Sequence, residues 1–280
     1  MKQLKQKINV LIEALPYIKR YHGKIVVIKY GGNAMRNNLK KSVMTDIVLL
    51  KHVGMSPVIV HGGGPEISKE MEKRNLKPVF IDGLRVTDKE TVEVIERVFE
   101  NINKDIFNLI KKCGGKPISI SGKDNKMIVV KQKDPKLGFV GEIKRINPEI
   151  VLSLLSQNYI PVISPVGVDK AGKVYNINAD TAASSLASAL GAEKLTILTD
   201  VLGVYENKKL ISQLSIRSAR KKIKKGIITK GMIPKVEACI DAVKKGCPKA
   251  HLIDGTIKHG LLLEIFTDKG VGTEIVKKKI

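Results

Sequence analysis

One construction occurs twice near the start of the chain, and few folds accommodate it. Ile25-Val-Val-Ile-Lys-Tyr-Gly-Gly32 is a β-branched apolar run that ends in a lysine and two glycines. Pro57-Val-Ile-Val60 is a second such run, ending in His61-Gly62-Gly63-Gly64-Pro65 before a helical pattern from Glu66 to Asn75. Apolar residues in unbroken succession mark a strand covered on both faces. Such strands alternate here with helical segments, which predicts an α/β domain built on a mainly parallel open sheet. In that architecture ligands bind beyond the carboxyl ends of the strands, where both glycine loops fall.

The chemistry of the loops points to an anion. Gly31 and Gly32 carry no Cβ to keep backbone N–H groups from an approaching oxyanion, and Lys29 adds a mobile positive charge. In the second loop, three glycines precede a proline at the first helical position, a site where a helix N-terminus receives negative charge. The loop lacks the Gly-Lys-Ser/Thr ending of a Walker A motif and is not the dinucleotide fingerprint. Taken alone, Lys29 also reads as a solvated lysine beside an ordinary turn.

Further signals follow in order. Residues 4–18 place Leu4, Ile8, Leu11, Ile12, Leu15 and Ile18 on one helical stripe before the first strand, either to pack on the domain's own surface or to dock on another subunit. Helices are predicted over 39–53 and about 88–112. Arg85 stands just before the second of these, as a surface arginine bonding a carbonyl or as a two-pronged grip on a carboxylate. Residues 117–143 read as short hairpins at a sheet margin. Helix 148–158, strand 160–163 and the polar cluster Asn176-Ile-Asn178-Ala-Asp180 open the second half. Asp180 suits a helix N-cap, yet such a cluster at a strand-to-helix junction is also where sites collect. A strand over 194–199 ends in Asp200, and Gly203 and Tyr205 follow. Lys235 falls in the first turn of a helix over about 231–245, where the macrodipole disfavours a cation unless an anion is held there.

Composition narrows the classes. The net charge of +23 admits nucleic acid, anionic small substrates or solvated lysine faces. With 4% aromatics, no Trp and no nucleic-acid motif, stacking on single strands is poorly supplied, and the expectation is no nucleic-acid partner. No apolar run approaches the roughly 20 residues that span a bilayer, and no signal-peptide core opens the chain. Three cysteines without metal spacing suit a reducing compartment. These features predict a cytoplasmic protein with no membrane partner and no protein-bound metal.

Ile-Lys-Tyr-Gly-Gly, His-Gly-Gly-Gly-Pro, Gly-Leu-Arg-Val-Thr, Asn-Ile-Asn-Ala-Asp, Thr-Asp-Val-Leu-Gly-Val and Gly-Met-Ile-Pro-Lys-Val stand here in the order found in the amino acid kinase family, and the chain resembles that family from Lys24 to Val276. The combination of Gly-Leu-Arg-Val-Thr with Asn-x-Asn-Ala-Asp is similar to members that phosphorylate the side-chain carboxylate of N-acetyl-L-glutamate in arginine biosynthesis. The resemblance implies a three-layer αβα sandwich. An oligomerisation helix would occupy residues 1–22 and a kinase domain 23–280, with an acyl-substrate lobe over about 23–160 and a nucleotide lobe over about 161–280. It implies ATP with Mg²⁺. Lys29 and Lys235 would stabilise the transferred group, oriented by Asp180. Gly63, Gly64, Arg85, Asn176 and Asn178 would bind the acid. Gly31, Gly32, Asp200, Gly203, Tyr205 and Met232 would serve the nucleotide. The amino-terminal helix resembles that of arginine-inhibited hexamers rather than insensitive dimers, with Tyr17, His251, Glu264 and Gly270 at the L-arginine site. Two alternatives stay open: a sibling kinase acting on an aminoadipate derivative, aspartate or glutamate, and a non-catalytic regulatory or nucleic-acid-binding protein on the same fold.

Overall fold

A computed structural model of the chain describes residues 2–35, 37–267 and 270–278; the side chains of residues 1–7, 33, 34 and 36–38 lie outside the described set, and with them Leu4 of the amino-terminal stripe. An eight-stranded sheet forms the middle layer. Its order is Gln213–Ser215, Thr273–Val276, Lys249–Asp254, Lys194–Thr199, Ile25–Tyr30, Ser56–His61, Ile160–Ser164 and Pro117–Ser121. Neighbours run parallel except Lys249–Asp254 against Thr273–Val276. The strand carrying Lys29 therefore lies near the centre, flanked by Ser56–His61 and Lys194–Thr199.

The helices are α1 (Lys2–Tyr21), α2 (Asn37–His52), α3 (Gly64–Lys73), α4 (Lys89–Lys112), α5 (Glu149–Ser156), α6 (Ala179–Ala189), α7 (Ile216–Lys224), α8 (Met232–Lys244) and α9 (Gly260–Ile265). They cover the sheet on both sides, so each strand feeds two cores. Val27, Val58, Val60 and Ile163 point into one core with α6 and α8, whereas Val26, Ile28, Ile59 and Val162 point into the other with α2 and α4. That alternation is the two-residue period of a strand with both faces buried. The expected fold class is the observed one.

Details differ from the expectation in instructive ways. The 117–143 region is not all hairpin: Pro117–Ser121 joins the central sheet as its edge, and only Ile128–Gln132 and Gly141–Ile146 pair antiparallel, in a separate four-stranded sheet. The cap of α6 is Asn178, whose Oδ1 accepts from the N–H groups of Asp180 and Thr181. Asp180 is thereby released from the capping role that its position suggested. On α1, Ile8, Leu11, Ile12 and Leu15 are exposed, so this part of the stripe does not pack on its own domain, whereas Ile18 is half-buried.

Candidate active site

Strand parity and helix starts bring the three charged residues together. Lys29 lies two residues beyond Val27, so its side chain leaves the sheet on the α6 and α8 side. Asp180 sits in the first turn of α6 and Lys235 in the first turn of α8. The Lys29 ammonium is 3.2 Å from Asp180 Oδ1, and Lys235 Nζ donates to Asp180 Oδ2 at 3.1 Å. One carboxylate thus holds two ammonium groups, one on each oxygen. Burial depresses the Lys29 ammonium below its ordinary pKa, opposed chiefly by the charge of Asp180. Burial pushes the Asp180 carboxyl up, but Lys29 and Lys235 together hold it below the usual range. The Lys29 contact is an ion pair without hydrogen-bond alignment, since Oδ1 is buried and receives no aligned donor. Lysine against the dipole of α8 is accounted for: its anion is Asp180.

These residues line a cleft of about 280 Å³ together with Gly32, Gly63, Gly64, Arg85, Asn176 and Asn178. Nine of the residues expected to act are therefore around one cavity. The N-termini of α3 and α6 reach it, and both present positive dipole ends to an anion. Arg85 is buried, which lowers its pKa, and its guanidinium is built in: Nη2 donates to Gly64 O at 2.9 Å and Ser68 Oγ at 2.8 Å, and the group lies 4.8 Å over the Phe80 ring. Asn176 Nδ2 donates to Thr87 Oγ1 at 3.3 Å. Asn178 lines the cleft, but its amide oxygen is occupied by the α6 cap.

The glycines divide by role. A Cβ on Gly31 would lie 3.2 Å from Lys29 Nζ, so this glycine makes room for the lysine's own ammonium. A Cβ on Gly63 would meet Ile102 Cδ1 at 2.7 Å and the Phe99 ring at 3.1 Å, both on α4. Gly203 stands apart from the cleft: at φ +159° its missing Cβ would overlap Thr273 Oγ1 at 2.3 Å, and that hydroxyl accepts from Val204 N at 2.8 Å. Asp200 and Tyr205 are exposed and Met232 is half-buried against the core, all outside the cleft lining. Asp200 follows the Lys194–Thr199 strand, which pairs with the Lys29 strand, so it shares that carboxyl edge. Sequence reasoning passed over Phe80 and Ser68, which hold Arg85. The apolar run Val79-Phe80-Ile81 just before Gly83 was the available signal for the first.

A second pocket, of about 590 Å³, gathers Tyr17, His251, Glu264 and Gly270 beside Tyr21 of α1. Glu264 is buried there among cations. Lys194 Nζ donates to its Oε1 at 3.1 Å, His251 Nδ1 bonds the same oxygen, and Val271 N donates to Oε2 at 2.9 Å. Burial raises the Glu264 carboxyl, but His251 and Lys194 outweigh it and hold the group down at about 2. Glu274 faces the same space with Lys249 2.8 Å away.

A buried ammonium–carboxylate–ammonium bridge among glycine loops gives the cleft the charge to hold anionic groups. The amino acid kinase family model matches residues 24–254, and the chain belongs to that family. The chain is an enzyme, a kinase of this family. It is 52% identical to the acetylglutamate kinase of Caldanaerobacter subterraneus subsp. tengcongensis over 97% of this chain and 94% of that one. It is 50% identical to the acetylglutamate kinase of Aquifex aeolicus, covering 98% of this chain and 99% of the other. Among solved structures, N-acetylglutamate synthase from Neisseria gonorrhoeae with coenzyme A and N-acetyl-glutamate superposes with a TM-score of 0.87 at 22% identity. That match covers 98% of this chain and 64% of the synthase, and it shows the shared fold. Among the described residues no helix is long and apolar enough to cross a membrane.

Proposed function

We propose that the enzyme transfers the γ-phosphoryl group of ATP to the side-chain carboxylate of N-acetyl-L-glutamate, a step of arginine biosynthesis. The observation that carries this reading is Asp180 holding Lys29 and Lys235 in the cleft that Arg85 and Asn176 also line. Relatives about half identical over nearly their whole length, named acetylglutamate kinase, support the choice of acid. A carboxylate acceptor is ionised at neutral pH, so no general base is required. Its oxygen forms the new bond to phosphorus, the bond from phosphorus to the β–γ bridging oxygen breaks, and ADP leaves with that electron pair. Catalysis is then positioning and charge neutralisation. Lys29 and Lys235 stand on two sides of Asp180 to take up charge on the phosphoryl oxygens, while Arg85 grips a carboxylate of the acid. Residues 23–160 supply the acyl side and 161–280 the nucleotide side, with Asp200 at its edge. Among the described residues Asp180 is the one carboxylate lining the cleft, and a lysine stands at each of its oxygens, which supports Mg²⁺ entering with its substrate, as MgATP, held by phosphate oxygens and water.

The same reading extends to control. L-arginine fits the second pocket, whose acids Glu264 and Glu274 suit a guanidinium and whose Arg20 and Lys249 suit a carboxylate. The exposed stripe of α1 would pair with its copy in a neighbouring subunit to build a hexamer, with a dimer as the alternative. Hydroxylamine trapping of the acyl phosphate across N-acetyl-L-glutamate, glutamate, aspartate and aminoadipate derivatives tests the substrate; equal turnover of free and acetylated glutamate would reject it. Sedimentation and arginine inhibition of the full chain against one beginning at Gly23 test the control. A full-length dimer, or a truncated form inhibited as strongly as the intact one, would reject that part.

A further inference from the structure

Behind the glycine loop, three buried polar side chains from separate elements are joined in one chain. His61 ends the Ser56–His61 strand, Ser164 ends the neighbouring Ile160–Ser164 strand, and Asn103 comes from α4. The register Val60↔Ile163 makes His61 and Ser164 the next pair along. Asn103 Nδ2 donates to Ser164 Oγ at 2.7 Å, Ser164 Oγ lies 3.2 Å from His61 Nε2, and His61 Nδ1 lies 3.1 Å from the carbonyl oxygen of Gly62.

Only one direction of donation satisfies all three contacts. A carbonyl only accepts, so His61 Nδ1 carries a proton. Burial pushes the imidazole down to about 4, so the ring is neutral at pH 7 and Nε2 is a bare acceptor. Ser164 therefore donates to Nε2, and its lone pairs remain to accept from the Asn103 amide. The order Asn103 to Ser164 to His61 to Gly62 O is fixed. Maintaining it leaves Asn103 Oδ1 buried without a hydrogen-bond partner, a cost that an apolar interior would avoid.

What the chain holds is a peptide plane. The C=O and the following N–H of a trans peptide point in opposite directions, so tethering Gly62 O sets the direction of Gly63 N–H. Gly63 lines the cleft, and its N–H has no acceptor among the described residues. The same face of α4 closes on the loop from behind. Phe99 meets the His61 ring edge-on at 5.2 Å, and Ile102 and Phe99 fill the space where a Gly63 side chain would lie.

We propose that Asn103, Ser164 and His61 are positioning residues that lock the Gly62–Gly63 peptide so that Gly63 N–H donates to the charge developing during phosphoryl transfer. The role rests on the kinase reading of the cleft given above. None of the three touches the reacting groups; they act through the backbone.

The test uses the full-length protein with MgATP and N-acetyl-L-glutamate. Asn places a donor where His61 Nδ1 is, and Gln places one where Nε2 is, so His61→Asn keeps the bond to Gly62 and His61→Gln loses it. His61→Gln is expected to lower kcat about 10- to 100-fold with both KM values within about threefold, as for loss or misdirection of one preorganised donor. His61→Asn is expected to recover at least about fivefold of that loss. Ring ¹⁵N NMR of histidine-labelled protein is expected to show His61 as the Nδ1–H tautomer, untitrated from about pH 6 to 8, and Ser164→Ala to give mixed tautomers with a several-fold lower kcat. Equal kcat in the Asn and Gln variants, a loss confined to KM, or an Nε2–H tautomer in the wild type would overturn the proposal. Should His61→Gln fail to fold, the wild-type tautomer and Ser164→Ala decide, an unchanged kcat in the latter being fatal. A wild type that phosphorylates none of the acids would refute the kinase reading and this role with it, whereas wild-type turnover with the wrong tautomer would refute the lock alone.

Discussion

Replacing Asp180 by Asn keeps the shape of the bridge and removes its charge. At 3.1–3.2 Å each ion pair is worth roughly 5 kcal/mol of Coulomb attraction at an effective dielectric of about 20, set against the burial of Lys29. Without the carboxylate, two ammonium groups face each other across the cleft, one of them almost wholly buried. Breaking one side of such a buried cluster costs about 3 kcal/mol, the low end for buried pairs because Lys235 is partly exposed. For a chain of this size that lowers Tm by about 6 °C. The catalytic consequence is separable from the loss of stability. Lys29 already titrates below its ordinary value through burial, and Asp180 is the main influence raising it. In Asp180→Asn the pKa of Lys29 falls further, so the protonated form that transfer requires is lost at lower pH. The expected outcome is a kcat lower by about 10²–10³-fold at neutral pH, with the alkaline limb of the kcat profile displaced towards acid. Acyl phosphate trapped with hydroxylamine between about pH 6 and 10, beside a thermal melt, measures both. A variant within about threefold of wild-type kcat, or with its alkaline limb unmoved, would refute the bridging role.

Other outcomes follow from the same geometry. Lys29→Ala and Lys235→Ala are each expected to lower kcat by roughly 10²–10⁴-fold with small changes in KM, because their partner charge grows in the transition state; wild-type kcat in either returns that lysine to a solvated role. Arg85→Lys keeps the charge but cannot span Gly64 O, Ser68 Oγ and the acid together, so KM for N-acetyl-L-glutamate rises at least about tenfold while KM for ATP holds; a parallel rise in both would mean Arg85 has been misplaced. Glu264 has a folded pKa depressed to about 2 from 4.5, so its stabilisation is complete above pH 4.5 and is lost as pH falls towards 2. That depression corresponds to on the order of 3 kcal/mol, and Glu264→Gln should flatten acid unfolding across that window; an unchanged acid transition would refute it.

How much of this was legible depended on whether the signal was local. Ile25–Ile28 and Pro57–Val60 declare buried strands because β-branched runs leave no polar face, and the glycines after them mark the ligand edge of the sheet without help from any other segment. The short strands Gln213–Ser215 and Thr273–Val276 and the helix α9 announced nothing, since three to six residues carry too little periodicity. Asn178 and Asp180 illustrate a competition that the sequence leaves open: two good capping residues stand two apart, and the cap goes to the one whose carboxylate-bearing neighbour is needed by lysines from other elements.

The long-range pairings were hidden, but the parity that governs them was not. Lys29 shares a face with Val27, and His61 shares the opposite face with Ile59, as the two-residue period of a strand requires. Because the register pairs Lys29 with Val60 and Tyr30 with His61, the lysine leaves the sheet on one side and the histidine on the other, although both stand near the ends of neighbouring strands beside glycine loops. What parity cannot say is which helix waits on each face. That choice is made by tertiary packing, which sets α6 and α8 with Asp180 and Lys235 over Lys29, and α4 with Phe99 and Asn103 over His61. The two loops then divide the work by side of the sheet. On the first, charge is supplied by side chains that enter the cleft. On the second, a neutral buried network sits behind the backbone that lines it. A histidine entering the cleft from the second loop would add a titrating group among the lysines; turned to the other face and kept neutral by burial, it leaves the field of Lys29, Asp180 and Lys235 unchanged near pH 7.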